Sequence, residues 1–113
     1  MSKLFQMSVA SVYKLYLVKV ERKNRTKKEL DQVICWLTGL KQTELNKHLK
    51  LETTFEDFFK SVKVNPKAKQ ITGTICGVKI EEIEDPLMKK IRYLDKLVDE
   101  LAKGRPMEKV LRS

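Results

Sequence analysis

Side chains able to do chemistry are few in this 113-residue chain: one histidine, His48, and two cysteines, Cys35 and Cys76. A nucleophilic Cys–His pair needs a thiolate beside the imidazole. Cys35 lies between Ile34 and Trp36 in a helical stretch, where apolar neighbours keep a thiol protonated and inert. His48 reads as a surface helix residue, and both cysteines as small buried apolar residues rather than a disulfide. No Cys-x-x-Cys or His-x-x-x-His occurs and no third nitrogen or sulfur ligand exists, so no metal is expected. Carboxylates are densest at Glu81, Glu82, Glu84 and Asp85, enough for a hard cation or for acid–base work. They stand directly before Pro86, where the start of a helix favours negative charge, so capping is preferred to catalysis. Gly73 and Gly77 lack the Gly-Lys-Ser/Thr ending of a phosphate loop. No catalytic residue and no cofactor is expected. An enzyme using the acidic run before Pro86 stands as an alternative.

Basic side chains are the other resource, since the formal net charge is +9 and the pI is near 9.6. Charge of that size attracts nucleic acid, anionic lipid or acidic proteins at low salt. Residues 1–30 oppose eight basic side chains to Glu21 and Glu29 alone, and residues 60–79 hold five lysines and no acid. The candidate nucleic-acid contacts are Lys14, Lys19, Arg22, Lys23, Arg25, Lys27, Lys28, Lys47, Lys63, Lys67 and Lys69. Lysine-rich stretches of this kind are read first as solvated surface. A helix-turn-helix over Asp31 to Leu49 would place Gly39 in the turn and present Gln42, Thr43, Asn46 and Lys47 to a groove. Thr38 and His48 stand where that motif wants aliphatic residues, so a hairpin used for packing is preferred.

The elements that must carry these residues follow from periodicity and caps. Val9, Val12, Tyr13, Tyr16, Leu17 and Val20 recur at spacings of three and four, predicting a helix over Val9 to Lys23 with Ser8 or Ser11 as its cap. Thr26 and Glu29 form a capping box for a second helix with Leu30, Val33, Ile34 and Leu37 on one face, stopped by Gly39. A third helix is expected over Gln42 to Lys50. A fourth opens at Thr53 with Glu56 or Thr54 with Asp57, and turns Phe55, Phe58, Phe59 and Val62 inward before Asn65-Pro66 ends it. Asp85, Pro86 and Gly104 bound the longest helix, in which Leu87, Ile91, Leu94, Val98 and Leu101 make a heptad seam of roughly 30 Å.

Residues 71–80 are ambiguous, because Ile71, Thr72, Thr74, Ile75, Val78 and Ile80 are β-branched while Gly73 and Gly77 interrupt any strand. The string Leu37 to Leu45 resembles Ile75 to Ile83 in pattern, which favours a short helix over 71–76 stopped by Gly77 and a new one from Lys79. The expected fold is therefore all-α, a single-domain orthogonal bundle of about five or six helices with a long C-terminal helix. The alternative is a small α+β fold with a short strand pair near 71–80. The longest apolar runs fall well short of a membrane span, and the first residues lack the apolar core of a secretion signal, so a cytoplasmic protein without membrane contact is expected. The leading functional reading is a non-enzymatic protein-interaction or oligomerisation domain. A homodimer is the first partner considered, with Tyr93, Met107 and Leu111 as its candidate surface. Nucleic-acid binding is the alternative.

Longer phrases of the sequence carry a family likeness. Arg25-Thr26 with Ile34-Cys35-Trp36-Leu37-Thr38-Gly39, then Ile71-Thr72-Gly73 with Ile75-Cys76-Gly77-Val78, then Ile83 to Met88, Ile91 to Leu97 and Glu100 to Gly104 resemble a family of short bacterial proteins. That family is designated a domain of unknown function, number twenty-two hundred. The likeness runs from about Met7 to Arg112. It implies a bacterial cytoplasmic protein with a helical fold and no established activity, cofactor or ligand, so no functional residue carries over. Members often have proline in place of Lys14 and a small capping residue in place of Lys41, which implies a first helix starting near Ser11 and a third helix without a good N-cap.

Overall fold

The computed structural model of the protein describes residues 3–75 and 77–111, and its helices begin where the capping residues stand. A short α1 (Lys3–Gln6) leads into α2 (Val9–Glu21), capped by Ser8, whose hydroxyl accepts from the Ser11 N–H at 3.1 Å. The helix stops short of Lys23 because Asn24 takes a left-handed conformation, φ 63°, and closes the turn onto the Glu21 carbonyl. Both halves of the Thr26–Glu29 box are present at the start of α3 (Lys27–Thr38), and Gly39 ends it at φ 72°. A side chain at that φ is strained by about 1 kcal/mol or more. Helix α4 (Gln42–Lys50) lacks a side-chain cap from Lys41, but Glu44 accepts the Lys41 N–H at 3.0 Å. Thr54 caps α5 (Phe55–Ser61), and a 3₁₀ turn over Pro66–Gln70 follows.

Over residues 71–80 the all-helical expectation fails and its alternative holds. Thr74–Ile75 (β1) pairs antiparallel with Val78–Lys79 (β2), Thr74 opposite Lys79 and Ile75 opposite Val78. β-branched side chains sit better on an extended chain than on a helix. Gly77, at φ 77°, serves the hairpin turn rather than a helix stop. The reading of Cys76 as a buried thiol lies outside the described residues.

Helix α6 (Pro86–Ala102) is the centre of the packing, touching α2, α3, α5, a terminal α7 (Met107–Val110) and the hairpin. Asp85 holds its first turn by accepting the Leu87 and Met88 N–H groups at 2.9 and 3.1 Å. Of its seam Ile91, Leu94, Val98 and Leu101 are buried, joined by Leu97, in one core with the α3 stripe and a cluster of Phe55, Phe58 and Phe59, while Leu87 is half-buried. Each of those phenyl groups contributes about 1.5–3 kcal/mol on burial. Among the described residues no helix is long and apolar enough to cross a membrane.

Candidate functional site

Three of the candidate nucleic-acid contacts are engaged within the chain. Lys19 reaches Asp99 at 3.3 Å, Lys27 reaches Asp31 at 2.7 Å, and Arg25 forks onto Glu29 while donating to the Arg105 carbonyl at 2.8 Å. Lys14, Arg22, Lys23, Lys28, Lys47, Lys63, Lys67 and Lys69 are exposed and form no ion pair among the described residues. On α4, Gln42 stays exposed but donates to Asp31 at 3.0 Å and to Asn46 at 3.0 Å. Thr38, out of place for a DNA-binding motif, is buried and donates to the Ile34 carbonyl at 2.8 Å.

The acidic run does not converge. Asp85 is spent on its cap, Glu81 accepts the Gly73 N–H at 2.6 Å, and Glu82 and Glu84 are exposed. No group of three side chains suited to a metal occurs among the described residues. Contrary to expectation, His48 is not a plain surface residue. Its ring packs edge-on against Phe58, with centroids 5.1 Å apart, and Nδ1 lies 3.0 Å from the Thr53 hydroxyl. Cys35 is half-buried; burial pushes its thiol up, and the nearby charges of Asp31 and Glu44 add to the effect. Tyr93 is buried, and Met107 and Leu111 are half-buried against the same core, so these three do not form an exposed apolar face.

Asp31 is the polar centre that periodicity and caps did not reveal. It is 3% exposed and accepts three donors: the Tyr13 hydroxyl at 2.5 Å, Lys27 at 2.7 Å and Gln42 at 3.0 Å. The arrangement ties α2, α3 and α4 together through one carboxylate, and the Lys27 ammonium also lies 5.7 Å from the Tyr13 ring centroid. Burial first, then the bond to Asp31, pushes the Tyr13 phenol up to about 12. None of the cavities along the start of α6 is lined by Tyr13, Lys27, Asp31 or Gln42, so the junction is read as a clasp. Its signal in the sequence was a tyrosine on the buried stripe of α2, whose hydroxyl needs a partner when enclosed.

The open concave surface lies elsewhere, where the 3₁₀ turn meets the first turns of α6. Asn65 fixes that turn: its N–H donates to the Leu37 carbonyl at 2.8 Å, its side-chain amide donates to the Trp36 carbonyl at 3.2 Å, and its Oδ1 accepts the Lys67 N–H at 2.9 Å. Pro66 and Pro86 open the two facing segments and reduce the freedom of each wall. Between them is a cavity of about 280 Å³ floored by Val64, Ala68, Tyr93 and the two prolines, and rimmed by Lys69, Lys89 and Lys90. Further depressions of about 250 and 170 Å³ adjoin it, the first sharing Lys69, Lys89 and Tyr93 with it and the second Pro86 and Lys90. Lys69, Lys89 and Lys90 form no ion pair among the described residues.

With this geometry in hand, comparison with known proteins places the chain. The bacterial family DUF2200, described as an uncharacterized protein conserved in bacteria, matches residues 3–112. The chain belongs to this family. A crystal structure of the uncharacterized protein SP1917 is 47% identical to this DUF2200 chain and superposes at a TM-score of 0.92, over 99% of this chain and 93% of that one. A search of curated proteins found no match. The likeness to SP1917 covers nearly the whole chain, so it takes in the helices, the 3₁₀ turn and the hairpin together.

Proposed function

We propose that this DUF2200 protein is a non-enzymatic protein-interaction domain of the cytoplasm whose working surface is the groove between the Pro66–Gln70 turn and α6. The observation that carries the reading is the union of an apolar floor with three unpaired lysines at its rim. An apolar concavity with few polar groups is the form a binding surface takes, and a cationic rim selects an acidic partner. The chemistry-bearing residues support a non-catalytic role, since the carboxylates before Pro86 do not converge, Asp85 capping α6 and Glu81 holding the Gly73 N–H, and Cys35 is held away from its reactive thiolate. That unpaired thiol also fits a reducing compartment. A partner of different sequence is preferred to a second copy, because two such rims would repel each other.

Nucleic-acid binding is the second reading, favoured by exposed Lys63 ahead of the 3₁₀ turn and Lys67 and Lys69 on it. It is opposed by the absence of arginine at the rim and of an open aromatic face for stacking, since Tyr93 is enclosed. A photo-crosslinking amino acid in place of Lys67, in cells that naturally make the protein, tests both readings. The interaction reading expects discrete protein adducts there and none from the same residue at Lys28. Adducts that disappear on nuclease treatment, or no adduct at Lys67, refute it.

A further inference from the structure

The three depressions along the start of α6 differ in chemistry from one end of the groove to the other. The middle one, about 280 Å³, is floored by apolar side chains and by the prolines that open its walls. It shares Lys69, Lys89 and Tyr93 with one neighbour and Pro86 and Lys90 with the other, so the three form one continuous trough. In the first neighbour, Lys69 and Lys89 stand over Ile71 and Ile80, and Glu81 at its edge is already occupied with the Gly73 N–H. In the second, Lys60 and Lys90 stand over Phe59 and Leu87, with Lys60 3.2 Å from Glu56. Unpaired lysines therefore stand at both ends of the apolar centre, Lys69 and Lys89 toward one neighbour and Lys90 toward the other.

An extended peptide has the matching pattern. Its alternate side chains fall on one face, about 7 Å apart at the strand rise, so one strand can offer positions i−2, i and i+2 to neighbouring depressions. Resting on the reading that this groove is the working surface, we infer that it receives an extended acidic segment of a partner protein. An aliphatic side chain at i fills the middle depression, and carboxylates at i−2 and i+2 meet the Lys69–Lys89 pair and Lys90. Lysine ammonium groups act as point charges that tolerate a loosely placed carboxylate, whereas phosphate recognition favours the bidentate arginine this groove lacks. The lysine stems add apolar wall while their heads stay in water.

The test uses the full chain and fluorescein-labelled peptides with the core Glu-Ser-Leu-Ser-Glu between glycine and serine spacers, read by fluorescence anisotropy at low salt. Binding is expected to weaken by about tenfold or more when the leucine becomes serine, when both glutamates move by one position, and in the K89E/K90E protein. Both lysines are half-buried on α6 and form no ion pair among the described residues, so the K89E/K90E protein should keep its thermal midpoint. Equal affinity for the serine peptide or the shifted peptide, or undiminished binding by K89E/K90E, overturns the inference. A single-stranded oligonucleotide that displaces the peptide at equal charge also overturns it, in favour of nucleic acid. If no peptide binds while the crosslinker at Lys67 still captures protein, the groove stands and the proposed occupant falls; if both fail, both readings fall.

Discussion

Replacing Asp31 with alanine removes the acceptor of three donors at once, and the structure permits each loss to be sized. The Tyr13 hydroxyl is buried with its 2.5 Å bond, so losing a charged acceptor there costs about 1.5–3 kcal/mol. Lys27 is 55% exposed and returns to water, so its share is about 0.5 kcal/mol. Gln42 is exposed and adds less than about 1 kcal/mol. Together Asp31→Ala should destabilise the fold by about 2–4 kcal/mol. For a chain of this length that is a fall in thermal midpoint of roughly 8–16 °C. Tyr13→Phe leaves Asp31 with two donors and should cost less, about 1–2 kcal/mol. The double variant should therefore be non-additive, with a coupling energy of about 1–2 kcal/mol. Guanidinium unfolding followed by the fluorescence of the single tryptophan, Trp36, measures all four proteins. A D31A protein within about 0.5 kcal/mol of the parent, or strictly additive single variants, would refute the assignment of Asp31 as the clasp.

Two further outcomes follow from the same geometry. The Tyr13 phenol is raised from 10.0 to about 12, so the folded state holds its proton more tightly than the unfolded chain. This contribution is complete below pH 10 and is lost as pH rises toward 12, and the part of the alkaline fall in stability due to it should vanish in Tyr13→Phe; an identical alkaline profile in the two proteins would count against it. At the head of α6, Asp85→Ala should cost about 1 kcal/mol through the lost cap while Glu84→Gln changes stability by less than about 0.5 kcal/mol, measured by the same unfolding curves. A larger loss at Glu84 than at Asp85 would return the acidic run to consideration as a site.

What was legible in the sequence was local. Thr26 with Glu29, Thr54 with Asp57 and Asp85 before Pro86 each satisfy N–H groups within a few residues, so their meaning survives without tertiary context. The likeness between Leu37–Leu45 and Ile75–Ile83 was informative to the same depth. Gly39 and Gly77 share a left-handed conformation, at φ 72° and 77°. Lys41 and Lys79 are both extended, and a helical turn starts after each, at Gln42 and Ile80. What precedes the glycine differs, a helix in one case and a strand in the other. The β-branched residues before Gly77 pair across a hairpin, while those before Gly39 are held in α3 by its capping box and by packing on α6.

The groove and the clasp depend on long-range packing, which is why neither emerged from periodicity. Lys89 and Lys90 are, in the sequence, only the solvated side of an amphipathic helix. They become a rim because Asn65 pins the neighbouring turn to the end of α3 and brings Lys69 across from them. The acid-free stretch from Lys60 to Lys79 was visible as a charge anomaly, but half of its meaning lay in α6. Asp31 looked like one polar position among many until α2 and α4 closed on it. The clasp joins α2, α3 and α4 whereas the groove is built from α5, α6 and the 3₁₀ turn, and the two share no residue. Loss of binding in K89E/K90E with an unchanged unfolding curve, set beside loss of stability in D31A, would therefore separate the surface that acts from the junction that holds the fold.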